Sequence, residues 1–184
     1  MLVNELFDMR IITGKYKGRH FEIPRSFKAR PTTDFAKENI FNVLTGYLDF
    51  EGATALDLFS GTGSITLELL SRGCQQVVSV EMDRDHHRFI TDCLKKLNTH
   101  ACLPLRADVF RFLKSCHQQF DFIFADPPYA LAELPQIPDL VLGKNLLKEG
   151  GVFVFEHGKQ NDFSQHPRFV EHRQYGSVNF SLFR

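Results

Sequence analysis

A chain of 184 residues that is 43% hydrophobic can bury one substantial core, and a single domain is the expectation. Lys plus Arg equals Asp plus Glu at 22 each, so overall charge singles out neither a nucleic-acid nor a membrane partner. No apolar run approaches a membrane span, and Cys74, Cys93, Cys102 and Cys116 lack both a C-x-x-C and metal-ligand spacing with the histidines; a reduced, cytoplasmic chain without membrane or metal is expected.

The amino-terminal arm departs from that balance. Between Arg10 and Lys37 eight basic residues (Arg10, Lys15, Lys17, Arg19, Arg25, Lys28, Arg30 and Lys37) stand against two acids, Glu22 and Asp34. This is the pattern of a basic patch, although an ordinary solvated face would look the same. Met9 to Thr13 and Arg19 to Ile23 read as strands joined across a turn, Gly14 to Gly18, that presents Lys15, Tyr16 and Lys17. Apolar residues then recur at helical spacing from Phe35, and Thr33 or Asp34 suits the cap of a helix over 34–48. That helix would lie on the main sheet and bring Arg30, Thr32 and Thr33 near its pocket.

From Gly52 strands and helices alternate. Strands are expected at 53–59, 76–81, 102–107, 120–125 and 151–156, with helices near 63–72, 84–97, 109–117 and 138–147 between them, the signature of a parallel sheet. Segments 169–173 and 177–183, about Tyr175 and Gly176, would add an antiparallel hairpin.

Ligands of such sheets bind outside the carboxyl ends of the strands, where this chain places acids. After the first strand runs Asp57-Leu58-Phe59-Ser60-Gly61-Thr62-Gly63, glycine-rich and opening a helix whose N–H groups favour an anion. Thr66 stands where the dinucleotide fingerprint needs Gly or Ala, which counts against a nicotinamide site. Glu81, followed by Met82 and Asp83, suits a carboxylate gripping two ribose hydroxyls. Asp108 could accept from an adenine amino group between Met82 and Val109. Each acid alone reads more simply as a helix cap, but four at successive strand ends do not.

The other signals converge on Phe120 to Ala130, FDFIFADPPYA. An apolar strand stops at Asp126, and Pro127 and Pro128 fix the backbone and withdraw two N–H groups. Asp126 and the Pro127 carbonyl can both accept from one NH2 group, and Tyr129 offers a face to a planar ring, a combination suited to an exocyclic amine on a heterocycle. Asp-Pro-Pro alone could equally be a turn.

Together, Asp57 to Gly63, Glu81, Asp108 and Asp126 to Tyr129 resemble a Rossmann-like, class I S-adenosylmethionine-dependent methyltransferase acting on an amino group. Arg10 to Gly14, Lys17-Gly18-Arg19, Arg30-Pro31-Thr32-Thr33-Asp34, Lys37-Glu38 and Phe41-Asn42 narrow the resemblance to bacterial small-subunit (16S) ribosomal RNA guanine-N2 methyltransferases of the RsmD type. The resemblance implies an α/β fold, with a mostly parallel seven-stranded sheet ending in an antiparallel hairpin (51–184) and a basic hairpin and helix extension (1–50). It implies that Asp57, Phe59, Ser60, Gly61, Gly63, Glu81, Met82, Asp83, Asp108 and Val109 hold S-adenosyl-L-methionine, and that Asp126, Pro127, Pro128 and Tyr129 hold a guanine. Arg10, Lys15, Lys17, Arg19, Arg30, Thr32 and Thr33 would contact ribosomal RNA in an assembling or assembled small subunit. The alternatives are an amino-methyltransferase on DNA adenine or protein glutamine, and an RNA-binding module with a decayed pocket; the loss of Asp126, Glu81 or a glycine that decay would bring is absent.

Overall fold

A computed structural model describes residues 7–184. Among them, nine strands and five α-helices follow one another as β1 (Asp8–Arg10), β2 (His20–Glu22), α1 (Asp34–Leu44), β3 (Thr54–Leu58), α2 (Ser64–Ser71), β4 (Gln76–Glu81), α3 (Arg84–Lys96), β5 (Cys102–Arg106), α4 (Val109–Ser115), β6 (Phe120–Ala125), α5 (Ile137–Leu142), β7 (Leu147–His157), β8 (Phe169–Tyr175) and β9 (Val178–Phe183). β3 to β9 form one sheet in the order β5-β4-β3-β6-β7-β9-β8; β9 runs antiparallel to both of its neighbours, β7 and β8, and the other ladders are parallel. This is the expected Rossmann-like architecture. The order reverses between β3 and β6, so the loops after these two strands meet at the switch point.

The central strands are apolar on both faces because each face is covered. One layer joins α1, α2 and α3 through residues such as Ile40, Phe41, Leu67 and Ile90 to Phe122 and Phe124 of the sheet. The other packs Val109, Leu113, Ile137 and Val141 against Leu56, Ile123 and Phe153. Helix α1 stops at Leu44, before the expected Leu48, where Thr45 and Gly46 lead into turn-type hydrogen bonds. Helix α5 also ends early, at Leu142, and β7 begins at Leu147 with the Gly150–Gly151 pair inside it.

β1 and β2 pair as a separate hairpin whose Met9, Ile11, Phe21 and Ile23 join the first core layer. Its turn is clasped to the end of α2. Ser71 Oγ donates to the Thr13 carbonyl at 2.5 Å, and the Lys15 N–H donates to the Ser71 carbonyl at 2.9 Å. A side chain at Gly14 would collide with that carbonyl, and its φ of 93° is one that glycine adopts freely. Beneath the turn, fully buried Glu68 accepts the N–H groups of Ile12 and Thr13 at 2.9 and 3.0 Å.

No helix among the described residues is long and apolar enough to cross a membrane, and no group of three or more His, Cys, Asp or Glu among them is placed to hold a metal. The four cysteines are free; burial pushes the thiols of Cys74, Cys93 and Cys102 up to about 12, which keeps them protonated and unreactive.

Candidate active site

The loop after β3 is built for close approach. Ser60 locks it, donating from Oγ to the Asp57 carbonyl at 2.8 Å and accepting from Ser79 Oγ at 2.7 Å, while its N–H bonds the Val80 carbonyl. Phe59 takes φ 59° and sets its ring edge-on to Phe110 at 6.2 Å. Gly61 and Gly63 take φ of 55° and 81°, and a Cβ at Gly63 would stand 2.9 Å from Ile90, so α3 can press against the loop only when this residue is glycine. Gly63 then caps α2 with left-handed backbone.

Glu81 closes the other side. One oxygen accepts the Gly61 N–H at 2.7 Å and the other the Asp83 N–H at 2.9 Å, which fixes the carboxylate while leaving lone pairs for two hydroxyls. Beyond it a cleft of about 620 Å3 is lined by Met82, Arg106, Ala107, Asp108 and Arg111, with Val109 buried next to it. Met82 is 63% exposed, an apolar side chain over a cleft. Asp108 caps α4, accepting the Arg111 N–H at 3.0 Å through Oδ1 only. Its second oxygen can serve a ligand amine.

Two residues sit differently from the expectation. Asp57 lies within β3 and is buried under α2, where Oδ2 accepts from Thr66 Oγ1 at 2.6 Å. Asp83 uses its carboxylate to cap α3, accepting the N–H groups of Asp85 and His86. Both shape the loops that carry Gly61 and Glu81. His86 is buried against Phe27 with Nδ1 3.9 Å from Glu81.

The loop after β6 lies beside the glycine loop, the Asp126 N–H bonding the Leu58 carbonyl at 3.3 Å. Pro127 is buried, and Pro128 and Tyr129 are exposed. The Tyr129 hydroxyl donates to Glu156 Oε1 at 2.9 Å. Glu156, on β7, is a site residue that strand-end reasoning passed over. It is 6% exposed, it faces Asp126 and Thr32 as well as Tyr129, and its Oε2 is buried with no hydrogen-bond partner among the described residues. The signal was present: 151–156 also ends in an acid. That β7 adjoins β6 is a matter of sheet order, which local sequence does not state.

These acids hold protons unusually well. Burial pushes Asp57 and Glu156 up to about 7, and burial with the nearby Glu156 and Asp57 charges raises the Asp126 carboxyl well above the ordinary range. From about pH 4.5 to about 7 the folded state therefore binds more protons than the unfolded chain at Glu156, and stability falls as pH rises through that window. Glu156→Gln, which has no charge to bury, is expected to melt at a higher temperature than wild type at pH 8 and to lose that advantage near pH 4. An equal difference at both pH values in thermal unfolding would contradict this.

Of the arm residues, Lys15, Lys17 and Arg19 are exposed, with Arg19 donating to the Lys96 carbonyl at 3.1 Å. Arg10 pairs with Asp34 at 3.0 Å on the surface. Arg30 bonds the Phe27 and Ala29 carbonyls and stands 4.7 Å from the Phe7 ring centre. Thr33 caps α1 through its hydroxyl, and Thr32 reaches Glu156. The expected approach of this segment to the site is therefore observed for Thr32. Lys37, counted with the basic patch, is buried and faces inward.

A family model described as conserved hypothetical protein 95 matches residues 9–184. Ribosomal RNA small subunit methyltransferase D of Haemophilus influenzae is 31% identical over 187 residues, covering 96% of this chain and 94% of its own. The chain belongs to this family. A solved hypothetical protein of Thermus thermophilus superposes with a TM-score of 0.84 at 27% identity over 96% of this chain and 99% of its own. At 19% identity the fold alone is shared with a Thermus thermophilus 16S rRNA N2 methyltransferase solved with AdoMet and guanosine, at a TM-score of 0.72 over 97% of this chain and 50% of that one. The sheet is thus a class I methyltransferase fold, and Glu81, Asp108 and Asp126 stand where its strands end.

Proposed function

We propose that the protein transfers a methyl group from S-adenosyl-L-methionine to the exocyclic N2 of a guanine in small-subunit ribosomal RNA. The observation that carries the reading is the meeting of the Asp126-Pro127-Pro128-Tyr129 loop and the Gly61–Gly63 loop at the switch point, with Glu81 and Asp108 on the far side. The names of the relatives, small-subunit ribosomal RNA methyltransferases, support the substrate class.

The residues fit the cofactor. A glycine loop without side chains suits the methionine end, Glu81 the ribose hydroxyls, and the cleft between Met82 and Asp108 the adenine. Bound there, it supplies an electrophilic methyl on a sulfonium whose departure needs no proton.

The chain's own work is positioning. A guanine amino nitrogen is a poor nucleophile because its lone pair is delocalised into the ring. By accepting its two N–H bonds, the Asp126 carboxylate and the Pro127 carbonyl turn that lone pair toward the methyl. Asp126 accepts the proton that the amine loses after transfer, for which its raised affinity for protons suits it. Removing a base from its stack costs roughly a few kcal/mol, and less in an unpaired loop. The exposed Tyr129 ring, held by Glu156, offsets part of that by stacking.

The arm supplies phosphate contacts. Replacing Lys15, Lys17 and Arg19 with alanine is expected to weaken RNA binding and to lower the slope of log affinity against log salt by up to about 2, at roughly 0.7 per contact for single strands. S-adenosylhomocysteine binding should not change; unaltered RNA affinity in a salt titration would refute the role.

The reading is tested by offering labelled S-adenosylmethionine with small subunits from cells lacking the protein, naked small-subunit RNA and double-stranded DNA. Label in RNA, free or in particles, is expected. Label only in DNA would transfer the proposal to a DNA amino-methyltransferase, and label in no nucleic acid would point to protein glutamine.

A further inference from the structure

Glu156 has more to offer than its bond to Tyr129. Its carboxylate is almost wholly buried: Oε1 takes the Tyr129 hydroxyl, while Oε2 has no hydrogen bond of good geometry among the described residues, the Asp126 carboxyl and the Thr32 hydroxyl standing at the edge of its reach. A buried carboxylate oxygen without a donor is costly, and sites keep such an atom where a ligand supplies the donor. The groups facing it are Asp126 at the end of β6, Tyr129 in the following loop and Thr32 before α1, so the Asp126 and Glu156 carboxyls stand side by side.

The chemistry of the base then discriminates. On its pairing edge, guanine carries the N2 amino group and, next to it, an N1–H donor. Adenine has an acceptor at ring N1, and so has 2-aminopurine, which keeps the amino group at C2. Resting on the guanine reading above, we infer that Glu156 is the residue that selects the base, Oε2 accepting the ring N1–H of the guanine whose amino group Asp126 and Pro127 hold. An acceptor at ring N1 would set two lone pairs against each other. Sites built to bond one polar group reject analogues lacking it far more strongly than sites that only pack.

Tyr129 makes the consequence of one substitution definite. Its hydroxyl donates to Oε1, so in Glu156→Gln the amide oxygen takes that place and the NH2 stands where Oε2 was. The variant then presents a donor where the wild type presents an acceptor.

The test uses the full chain saturated with S-adenosylhomocysteine, titrated with guanosine, 2-aminopurine riboside and adenosine. Wild type is expected to bind guanosine at least about tenfold more tightly than 2-aminopurine riboside, the scale of one buried hydrogen bond. In Glu156→Gln that ratio should fall below one. Because the readout is a ratio, loss of some folded protein leaves it unchanged. Equal affinities in wild type, an unaltered ratio in the variant, or no measurable guanosine binding would overturn the inference. Adenosine bound in preference to both would remove the guanine reading itself, whereas guanosine preferred equally by both proteins would remove only the role of Glu156.

Discussion

Asp126→Ala is expected to lower methyl transfer by about a thousandfold or more while changing the Kd for S-adenosylhomocysteine less than about threefold. The separation follows from the site. Asp126 stands at the end of β6, whereas Gly61, Glu81 and Asp108, to which the proposed function assigns the cofactor, follow β3, β4 and β5. Removing a carboxylate whose charge is opposed by Glu156 and Asp57 should also not destabilise the fold at pH 8, since that repulsion is relieved. Measuring transfer and cofactor affinity on the same preparation decides the matter. A parallel loss of both would mean that Asp126 shapes the cofactor site rather than holding the base.

The second large effect concerns stability. Glu68 is fully buried on α2 and is the charge around which the hairpin, α1 and α2 meet. It accepts the Ile12 and Thr13 N–H groups and the Arg72 Nε–H at 3.1 Å, and lies 3.7 Å from Lys37 Nζ. Lys37 in turn donates to the Arg10 carbonyl at 2.6 Å and Ser64 Oγ at 3.0 Å. Burial lowers the Lys37 pKa and Glu68 opposes that, so the ammonium depends on its partner. Glu68→Ala leaves two backbone N–H groups unpaired and two cations uncompensated, and is expected to cost about 3–5 kcal/mol. For a chain of this size that is a fall in Tm of about 10 °C. Adding Lys37→Met should recover part of it, because the buried charge goes too. Urea unfolding that showed less than about 1 kcal/mol lost, or no recovery in the double variant, would contradict the clamp.

Much of this was legible in the chain. Apolar runs bounded by turn residues placed the central strands β3, β4, β6 and β7, because strands covered on both faces have little choice of residue; the half-exposed edge strands β5 and β8 were found by their place in the alternation of elements and beside a turn. Asp-Pro-Pro-Tyr, which by itself reads equally as a turn, drew attention to the end of β6, and that loop does lie beside the glycine loop at the switch point. What escaped depends on contacts between distant segments. Asp57 resembled a strand-end ligand, but it points under α2 to Thr66, since the strand continues to Leu58. Nothing local to the sequence marks Glu68; it is buried where the hairpin folds over α2. Lys37 belonged by composition to the basic patch, and the same burial removes it from any RNA surface. Glu156 required the order β6-β7, which no local pattern carries.

The most direct test is the identity of the modified nucleoside. Small-subunit RNA methylated by the protein would be digested to nucleosides and resolved by mass spectrometry against standards. A site in which Asp126 and Pro127 hold the C2 amino group yields N2-methylguanosine. N6-methyladenosine, or a methyl group on any ring nitrogen, would contradict the base orientation on which the roles of Asp126, Tyr129 and Glu156 all depend.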